Sequence, residues 1–188
     1  MEITMSLDGY TAGPDISEDN PLGRDGERLH DWMFAGKSAE EVGRNENDRF
    51  ASVGAVVVGR RMADLGIVHW GEEPSFHAPC FVVTHRPAET IVKQGGTSYV
   101  FVTEGLEAAM AQAREAAGGQ EVWVGGGADI ARQYLNAGLI DEVQLHIAPI
   151  ALGGGTSLFA GLSPDLRLVP TDATIGPIAT HLTYQVAG

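Results

Sequence analysis

The feature that most constrains this chain is a glycine triplet that joins a strand-like run to a helical pattern. Gly125, Gly126 and Gly127 follow the run at 121–124, and a helix-type spacing of apolar residues begins at once and extends to residue 137. Glycines at such a junction let the backbone approach a ligand, and the amides that open a helix are donors without partners inside the helix. The triplet therefore indicates a phosphate-binding turn, with a tight turn that binds nothing as the alternative.

Two common nucleotide-binding motifs do not fit the glycine spacing. A dinucleotide fingerprint that starts at position 125 requires glycine at position 130, where the chain has Ile130. Gly54 and Gly59 have the spacing of a P-loop, but Arg60 and Arg61 stand where Lys and Ser or Thr are required, and the residues between the glycines are strand-like. The sequence thus argues against both a Rossmann fingerprint at this turn and a nucleoside triphosphatase.

Length and composition are those of one globular domain, residues 1–188. The chain has 44% hydrophobic residues and no long polar tract. No segment approaches the ~18 consecutive apolar residues of a membrane helix, and the amino terminus lacks the order of a signal peptide. We therefore expect a soluble, cytoplasmic protein with no membrane partner.

Charge and cysteine content exclude further classes of function. The formal net charge of −13 disfavours nucleic acid and anionic membranes as partners, because both are bound mainly by basic surfaces. Cys80 is the only cysteine, which excludes a disulfide within the chain and a cysteine-based zinc site. Its apolar neighbours predict a buried strand residue. The histidine spacing does not match a metal site, and the sequence contains no H-E-x-x-H motif. His146 and His181 are expected to be packed strand residues.

Apolar periodicity predicts an α/β arrangement. We expect strands at 3–7, 55–58, 81–84, 99–102, 121–124, 142–148, 166–169 and 178–186, and helices at 28–34, 38–51, 60–65, 106–117 and 128–137. Residues 66–79 and 149–156 have loop composition. The last two strands lack an intervening helix, which predicts an antiparallel hairpin at the edge of an otherwise α/β sheet.

Three strand ends carry residues suited to phosphate. In an open α/β sheet, ligands gather outside the carboxyl ends of the strands, so these three segments are predicted to share one ligand. A pyrophosphate would lie on the glycine turn, and an additional phosphate would need cations and hydroxyls. The segments are Gly59, Arg60, Arg61 and Met62; Thr84, His85 and Arg86; and Gly125, Gly126, Gly127, Ala128, Asp129 and Ile130. A carboxylate at Asp129 is also placed to cap the following helix.

Five motifs in order resemble the dihydrofolate reductase-like superfamily, and within it the reductase domain of the bifunctional riboflavin-biosynthesis deaminase-reductase. They are SLDGYTAG, GAVVVGRRM, CFVVTHRP, VWVGGGADIARQYLNAGLIDEVQLHIAPIALGGGTSLF and THLTYQV, and they span almost the whole chain. The resemblance implies a three-layer α/β fold, with a mixed, mainly parallel sheet between helices and a carboxyl-terminal hairpin. It also implies NADPH as cofactor, held by the three segments above, and a homodimer.

Few residues are candidates for a catalytic or substrate-binding role. Hydride transfer requires positioning of the acceptor and one group that supplies a proton or charge. The resemblance places Asp8 near the nicotinamide and Asp31 in the region of the folate reducers' carboxylate, although an ordinary turn and a solvated helix residue are the alternatives. Trp32, Trp70 and Leu152 are candidates for an apolar substrate pocket, with core packing as the alternative.

The function predicted from these features is NADPH-dependent reduction of a small heterocyclic or carbonyl- or imine-bearing substrate. A pyrimidine of riboflavin biosynthesis and dihydrofolate are the two substrates considered. The pyrimidine would need a basic site for its phosphate, and no separate one is evident in the sequence. Dihydrofolate reduction would need a catalytic carboxylate on the first helix, and the sequence does not clearly identify one. The alternative from another class is a non-catalytic protein that binds NADPH as a sensor or scaffold.

Overall fold

The computed structural model describes residues 1–17 and 19–187, which form two compact units. Unit 1 comprises Met1–Gly36 and Gly126–Gly188, and unit 2 comprises Lys37–Gly125. This division does not test the expectation of one domain, which stays a prediction. No helix within the described ranges is long and apolar enough to cross a membrane.

Eleven strands and five α-helices occur along the described chain, together with a 3₁₀ helix at Gly26–His30. The strands are β1 (Glu2–Ser6), β2 (Tyr10–Ala12), β3 (Val53–Gly59), β4 (Pro79–Val83), β5 (Ile91–Val92), β6 (Ser98–Val102), β7 (Glu121–Val124), β8 (Glu142–Ala148), β9 (Thr156–Ser157), β10 (Arg167–Ile175) and β11 (Thr180–Ala187). The helices are α1 (Asp31–Phe34), α2 (Ala39–Phe50), α3 (Arg60–His69), α4 (Leu106–Ala117) and α5 (Ala128–Asn136).

Unit 2 is built on a five-stranded sheet with the order β5-β6-β4-β3-β7. The four strands β6, β4, β3 and β7 are parallel, and the short β5 joins β6 antiparallel. Every residue from Ala55 to Val58 in the interior strand β3 is fully buried, as expected for an apolar run covered on both faces. Cys80 is also fully buried beside this strand, which confirms its predicted environment.

Helix α3 is longer than the sequence predicts, and the expected loop at 66–79 is wrong at its start. The sequence predicts a helix at 60–65 and a loop from Gly66, but the helix continues to His69. The ring of Trp70 lies over Gly66, where a Cβ would come within 2.4 Å of the indole. This glycine therefore makes room for an aromatic ring, and the packing outweighs its weak helix propensity.

Unit 1 is built on a four-stranded sheet with the order β1-β8-β11-β10. β1 and β8 are parallel, and β11 pairs antiparallel with both β8 and β10. The predicted carboxyl-terminal hairpin is thus confirmed, with β10 as the edge strand. Its register shifts between Pro170 and Asp172. Two short strands that the sequence did not predict, β2 and β9, form a separate antiparallel ribbon.

Candidate functional site

Two of the three predicted phosphate segments lie together in unit 2. β3 and β4 are parallel neighbours, and their last residues, Gly59 and Val83, are paired. Arg60 therefore begins α3 beside the turn that follows β4, and its Nη1 atom donates to the carbonyl of Arg86 at 3.1 Å. These two strand ends are therefore neighbours, and their sharing of one ligand stays a prediction.

Asp64 connects the two arginines. Its Oδ1 atom accepts from Nε of Arg60 at 2.7 Å, and its Oδ2 atom accepts from Nη2 of Arg86 at 3.0 Å. The Arg60 guanidinium also lies 5.0 Å from the centroid of the Phe101 ring. One carboxylate balances only one of the two guanidinium charges, so a net positive charge remains at the carboxyl ends of β3 and β4. Guanidinium groups in this arrangement suit a phosphate monoester.

Thr84 shapes the turn that carries Arg86. Its Oγ1 atom accepts from the amide of Arg86 at 3.0 Å. This hydroxyl is buried, whereas the side chains of His85, Arg86 and Arg61 are exposed. The turn therefore has a fixed backbone and presents its basic side chains to solvent, while Met62 packs against the core of unit 2.

Gly125 directly follows β7 within unit 2. Its amide donates to the carbonyl of Val57 at 2.9 Å, which continues the β3–β7 ladder by one bond. A Cβ at Gly125 would lie 2.4 Å from the ring of Trp123. That ring makes an edge contact with Phe50 and a cation–π contact with Arg49. Glycine is therefore required here by the packing of the neighbouring tryptophan.

Gly126 and Gly127 belong to unit 1 and precede α5. A Cβ at Gly126 would make ordinary contact with Ile3, whereas the space around Gly127 is open to 4 Å. Gly127 is the N-cap of α5, and its carbonyl accepts from the amide of Ala131 at 3.2 Å. The open space beside the N-cap gives a ligand access to the helix amino terminus.

The expected helix cap at Asp129 is wrong. α5 has no side-chain cap, and Asp129 instead accepts from Nη2 of Arg132 at 2.8 Å. Arg132 also donates to the carbonyl of Ser157. The carboxylate is thus directed along the helix surface, and the amides of Ala128, Asp129 and Ile130 keep the geometry of an anion site.

Asp8 lies in a network of donors in unit 1. The hydroxyl of Ser6 donates to Oδ1 at 2.5 Å, and the amides of Leu152 and Gly153 donate to Oδ1 and Oδ2 at 3.1 and 2.8 Å. The Ser6 bond and these amides lower the pKa of Asp8 from 3.8 to about 2. At neutral pH the group is therefore a carboxylate that holds the loop at residues 149–156 by accepting hydrogen bonds from it.

The other candidates for chemistry are distributed over both units. Asp31 is the first residue of α1 and has an exposed side chain. Trp70 packs against Phe76 and Tyr99 in the core of unit 2, so its ring surface serves the fold. Leu152 is half-buried in the loop that binds Asp8. The structure therefore connects Leu152 with Asp8, and it places Trp70 in a core.

A buried polar cluster in unit 1 was missed by sequence reasoning. The Nε2 atom of His146 lies 2.6 Å from Oε1 of Glu2, and its Nδ1 atom lies 2.7 Å from Nδ1 of His181. Trp32 covers both imidazoles, with ring centroids 4.4 Å from His146 and 5.0 Å from His181. We name Glu2, His146 and His181 the histidine cluster. The expectation that the two histidines are only packed strand residues is incomplete, because they are bonded to each other and to a buried carboxylate.

One sequence signal pointed to this cluster. Glu2, Thr4 and Ser6 alternate with the apolar Ile3 and Met5, and all five side chains are buried. Such alternation normally places polar residues towards solvent, so a buried polar face on β1 requires partners from neighbouring strands. Parallel pairing of Thr4 with His146 and antiparallel pairing of His146 with His181 supply those partners. Across the part of the chain that the structure describes, no group of three or more acidic, His or Cys residues is arranged to hold a metal ion.

Known proteins with similar sequence and structure were compared with this chain. YwjB, an uncharacterized protein of Bacillus subtilis (strain 168), is 27% identical over 168 residues, which cover 88% of this chain and 84% of YwjB. A structure from Shewanella sp. PV-4, described as "Putative riboflavin biosynthesis protein", has a TM-score of 0.73 and 26% identity, covering 100% of this chain and 97% of that one.

The dihydrofolate reductase of Enterococcus faecalis, solved with NADP(H) and RAB-propyl, has a TM-score of 0.58 at 13% identity, covering 100% of this chain and 95% of the reductase. At that identity the likeness concerns the fold, and it confirms the predicted dihydrofolate reductase-like fold class. The family described as the RibD C-terminal domain matches residues 1–177. Since this match covers nearly the whole chain, the protein belongs to the RibD C-terminal domain family.

Proposed function

We propose that this protein is a cytoplasmic NADPH-dependent reductase that transfers a hydride to a small heterocyclic or carbonyl- or imine-bearing substrate. The observation that carries the proposal is the meeting of Arg60 and Arg86 at the carboxyl ends of β3 and β4. Two guanidinium groups supply donors of the kind that a phosphate monoester requires. Membership of the RibD C-terminal domain family supports a reductase as the class of enzyme.

Each unit, taken by itself, has donors that fit a phosphate of NADPH. In unit 2, Arg60 and Arg86 would hold the adenosine 2′-phosphate on the turn that the Thr84 hydroxyl shapes, and this phosphate would compete with Asp64 for the guanidinium groups. In unit 1, the amides that open α5 after Gly127 would hold the pyrophosphate. When bound, NADPH supplies the hydride from its nicotinamide ring. The protein contributes binding, orientation and the exclusion of water.

A pyrimidine of riboflavin biosynthesis is the first substrate that we propose, namely 5-amino-6-(5-phosphoribosylamino)uracil. The similar Shewanella protein carries riboflavin biosynthesis in its description, and the family is that of a RibD domain. The dihydrofolate reductase-like fold makes dihydrofolate the second substrate to assay.

Titration calorimetry with NADPH and NADH tests the cofactor half of the proposal. We expect NADPH to bind more tightly than NADH, because only NADPH carries the 2′-phosphate. A preference for NADH, or no binding of either, contradicts the role of Arg60 and Arg86. NADPH absorbance followed with the pyrimidine, folates, quinones and aldehydes then tests the catalytic half. Tight binding without turnover favours a sensor or scaffold protein.

We also propose a homodimer assembled through the carboxyl-terminal strands. β10 lies at the end of the strand order in unit 1, and Val169 and Ile175 on it are 50% and 87% exposed. Apolar side chains on an edge strand favour burial against a second chain. Light scattering coupled to size-exclusion chromatography tests this proposal, and a Val169→Lys variant that stays dimeric would place the interface elsewhere.

A further inference from the structure

Asp64 lies where the two guanidinium groups of unit 2 meet. Its Oδ1 atom accepts from Nε of Arg60 at 2.7 Å, and its Oδ2 atom accepts from Nη2 of Arg86 at 3.0 Å. A phosphate held by both guanidinium groups would use donors of the same two side chains. It would either displace the carboxylate, which breaks two ion pairs, or lie beside it, which brings like charges together. Both arrangements weaken the binding of the phosphate.

Helix α3 sets the position of Asp64. Arg60 is the first residue of the helix and Asp64 lies four residues later, so the two side chains are on the same face. The Asp64 side chain is 42% exposed, which leaves the carboxylate free to turn towards solvent when an anion takes its place. Asp64 is therefore close enough to compete for the guanidinium groups and exposed enough to be displaced from them.

Arg60 is held in place by contacts that do not involve Asp64. Its Nη1 atom donates to the carbonyl of Arg86 at 3.1 Å, and its guanidinium lies 5.0 Å from the centroid of the Phe101 ring. That carbonyl belongs to the turn that Thr84 fixes through hydrogen bonds with the backbone of Arg86. The side chain of Arg60 is only 24% exposed. Removal of the Asp64 carboxylate is therefore expected to leave the Arg60 guanidinium where it is.

Arg86 is held more firmly at its backbone than at its side chain. Its amide donates to the Thr84 hydroxyl at 3.0 Å, whereas its side chain is 69% exposed. The ion pair with Asp64 turns the guanidinium towards Arg60. An exposed ion pair of this kind contributes little stability. A phosphate dianion has more charge and more acceptor oxygens, so it can replace the carboxylate as the partner of Arg86.

We propose that Asp64 sets the cofactor specificity of this protein by competing with the adenosine 2′-phosphate for Arg60 and Arg86. This inference rests on the proposed function and adds the residue that limits its selectivity. NADPH must separate Asp64 from the two guanidinium groups, whereas NADH has a hydroxyl at the same position and leaves both ion pairs intact. Asp64 therefore lowers the affinity for NADPH, which narrows the preference for NADPH over NADH.

The oxidised cofactor carries the same 2′-phosphate as the reduced one. Asp64 therefore weakens the binding of NADP⁺ as well, and its carboxylate returns to the two arginines when NADP⁺ leaves. Among variants of one site, changes in affinity come mostly from the rate of dissociation, and release of product limits the turnover of many enzymes. A carboxylate retained within an anion site thus favours rapid exchange of the cofactor.

The first test uses adenosine 2′-monophosphate, with adenosine as the matched ligand that lacks the phosphate. The phosphate must replace two exposed ion pairs in the wild type, so Asp64→Asn is expected to bind adenosine 2′-monophosphate roughly 3- to 30-fold more tightly. Adenosine should bind both proteins equally. In ¹⁵N spectra of the wild type, the Nε–H signal of Arg60 should shift with the nucleotide, because this hydrogen leaves Asp64. Equal or weaker binding of adenosine 2′-monophosphate by Asp64→Asn overturns the inference.

Calorimetry with both nicotinamide cofactors is the second test. Asp64→Asn is expected to lower the Kd for NADPH by roughly 3- to 30-fold and to change the Kd for NADH by less than about 3-fold. The gain for NADPH should shrink at about 0.5 M salt, because screening weakens the competition between charges. Glu115→Gln is the matched control, since it removes the same charge from an exposed position on α4 of the same unit.

The outcomes separate this inference from the proposed function. A wild type that prefers NADPH, together with an Asp64→Asn variant of unchanged preference, refutes the role of Asp64 and leaves the reductase intact. A gain that is the same for NADH, or that does not depend on salt, also refutes it, because competition for a phosphate predicts neither. A wild type without any preference for NADPH refutes the cofactor assignment and the inference together.

Discussion

The Oδ2 atom of Asp8 accepts a hydrogen bond from the amide of Gly153 at 2.8 Å, which ties the turn after β1 to a loop 145 positions later. Ser6 and the amide of Leu152 donate to the other carboxylate oxygen. These bonds describe an ionised side chain whose charge stabilises the loop. A catalytic role for Asp8 stays a prediction.

The Asp8→Asn variant is expected to be less stable than the wild type at pH 7. The pKa of Asp8 is about 2 in the folded protein, below its ordinary value of 3.8. The stability that ionisation contributes is therefore complete above about pH 4 and is lost as the pH falls towards 2. Thermal unfolding at pH 7 and pH 3 should show a difference between variant and wild type that narrows at the lower pH. Asp141→Asn, at an exposed carboxylate, is the control, and a difference that widens at pH 3 contradicts the assignment.

Arg86→Ala is expected to weaken NADPH binding more than NADH binding. Removing a guanidinium from a phosphate should cost roughly 10- to 100-fold in the Kd for NADPH, and less than about 3-fold for NADH. Calorimetry with both nucleotides measures the two losses. Arg114→Ala is the matched control, because Arg114 is an exposed arginine on α4 of the same unit. Equal losses for the two nucleotides would show that Arg86 does not contact the 2′-phosphate.

Gly125→Ala and Gly127→Ala should differ although they alter the same triplet. At Gly125 a Cβ meets the Trp123 ring at 2.4 Å, and moving that ring disturbs its contact with Phe50. We expect a loss of roughly 1–3 kcal/mol in the free energy of unfolding, as for other overpacked sites. At Gly127 the space is open, and the loss should stay below about 1 kcal/mol. Urea unfolding measures both, and equal losses contradict the packing argument.

Cys80 should react with thiol reagents only when the protein unfolds. The side chain is fully buried in β4, and burial raises the pKa of its thiol, so the reactive thiolate is scarce and shielded. Labelling with a chromogenic disulfide is expected to be at least about 10³-fold slower in the folded protein than in urea, in line with the equilibrium constants of small domains. As the only cysteine, Cys80 gives a one-site signal. Rapid labelling under native conditions would contradict this burial.

Elements with a strong local pattern were predictable. The run Ala55–Val58 and the alanine-rich α4 carry their periodicity in adjacent residues, and the structure forms both as expected. α3 was predicted too short because Gly66 looks like a helix end when considered alone. Its role depends on Trp70, whose ring takes the place of a side chain at Gly66. The contact between Trp70 and Gly66 forms only in the folded helix, so the local sequence pattern does not reveal it.

The same distinction applies to the candidate site. Arg60 and Arg86 each follow a buried strand, so the rule for parallel strand ends was sufficient to bring them together. Glu2 and His146 are 144 residues apart, and His146 and His181 are 35 apart. Only the register of β1, β8 and β11 makes them neighbours, and register is set by the packing of the whole sheet. An isolated histidine in an apolar strand gives no indication of its partners.

The register shift on β10 has a consequence for how far this chain can grow into larger assemblies. Pro170 has no amide hydrogen, and the shift between Pro170 and Asp172 interrupts the row of backbone groups along the strand. An approaching strand would find regular pairing on either side of this point but no continuous template across it. The irregularity therefore opposes indefinite strand-by-strand polymerisation through this edge, of the kind that leads to fibrils.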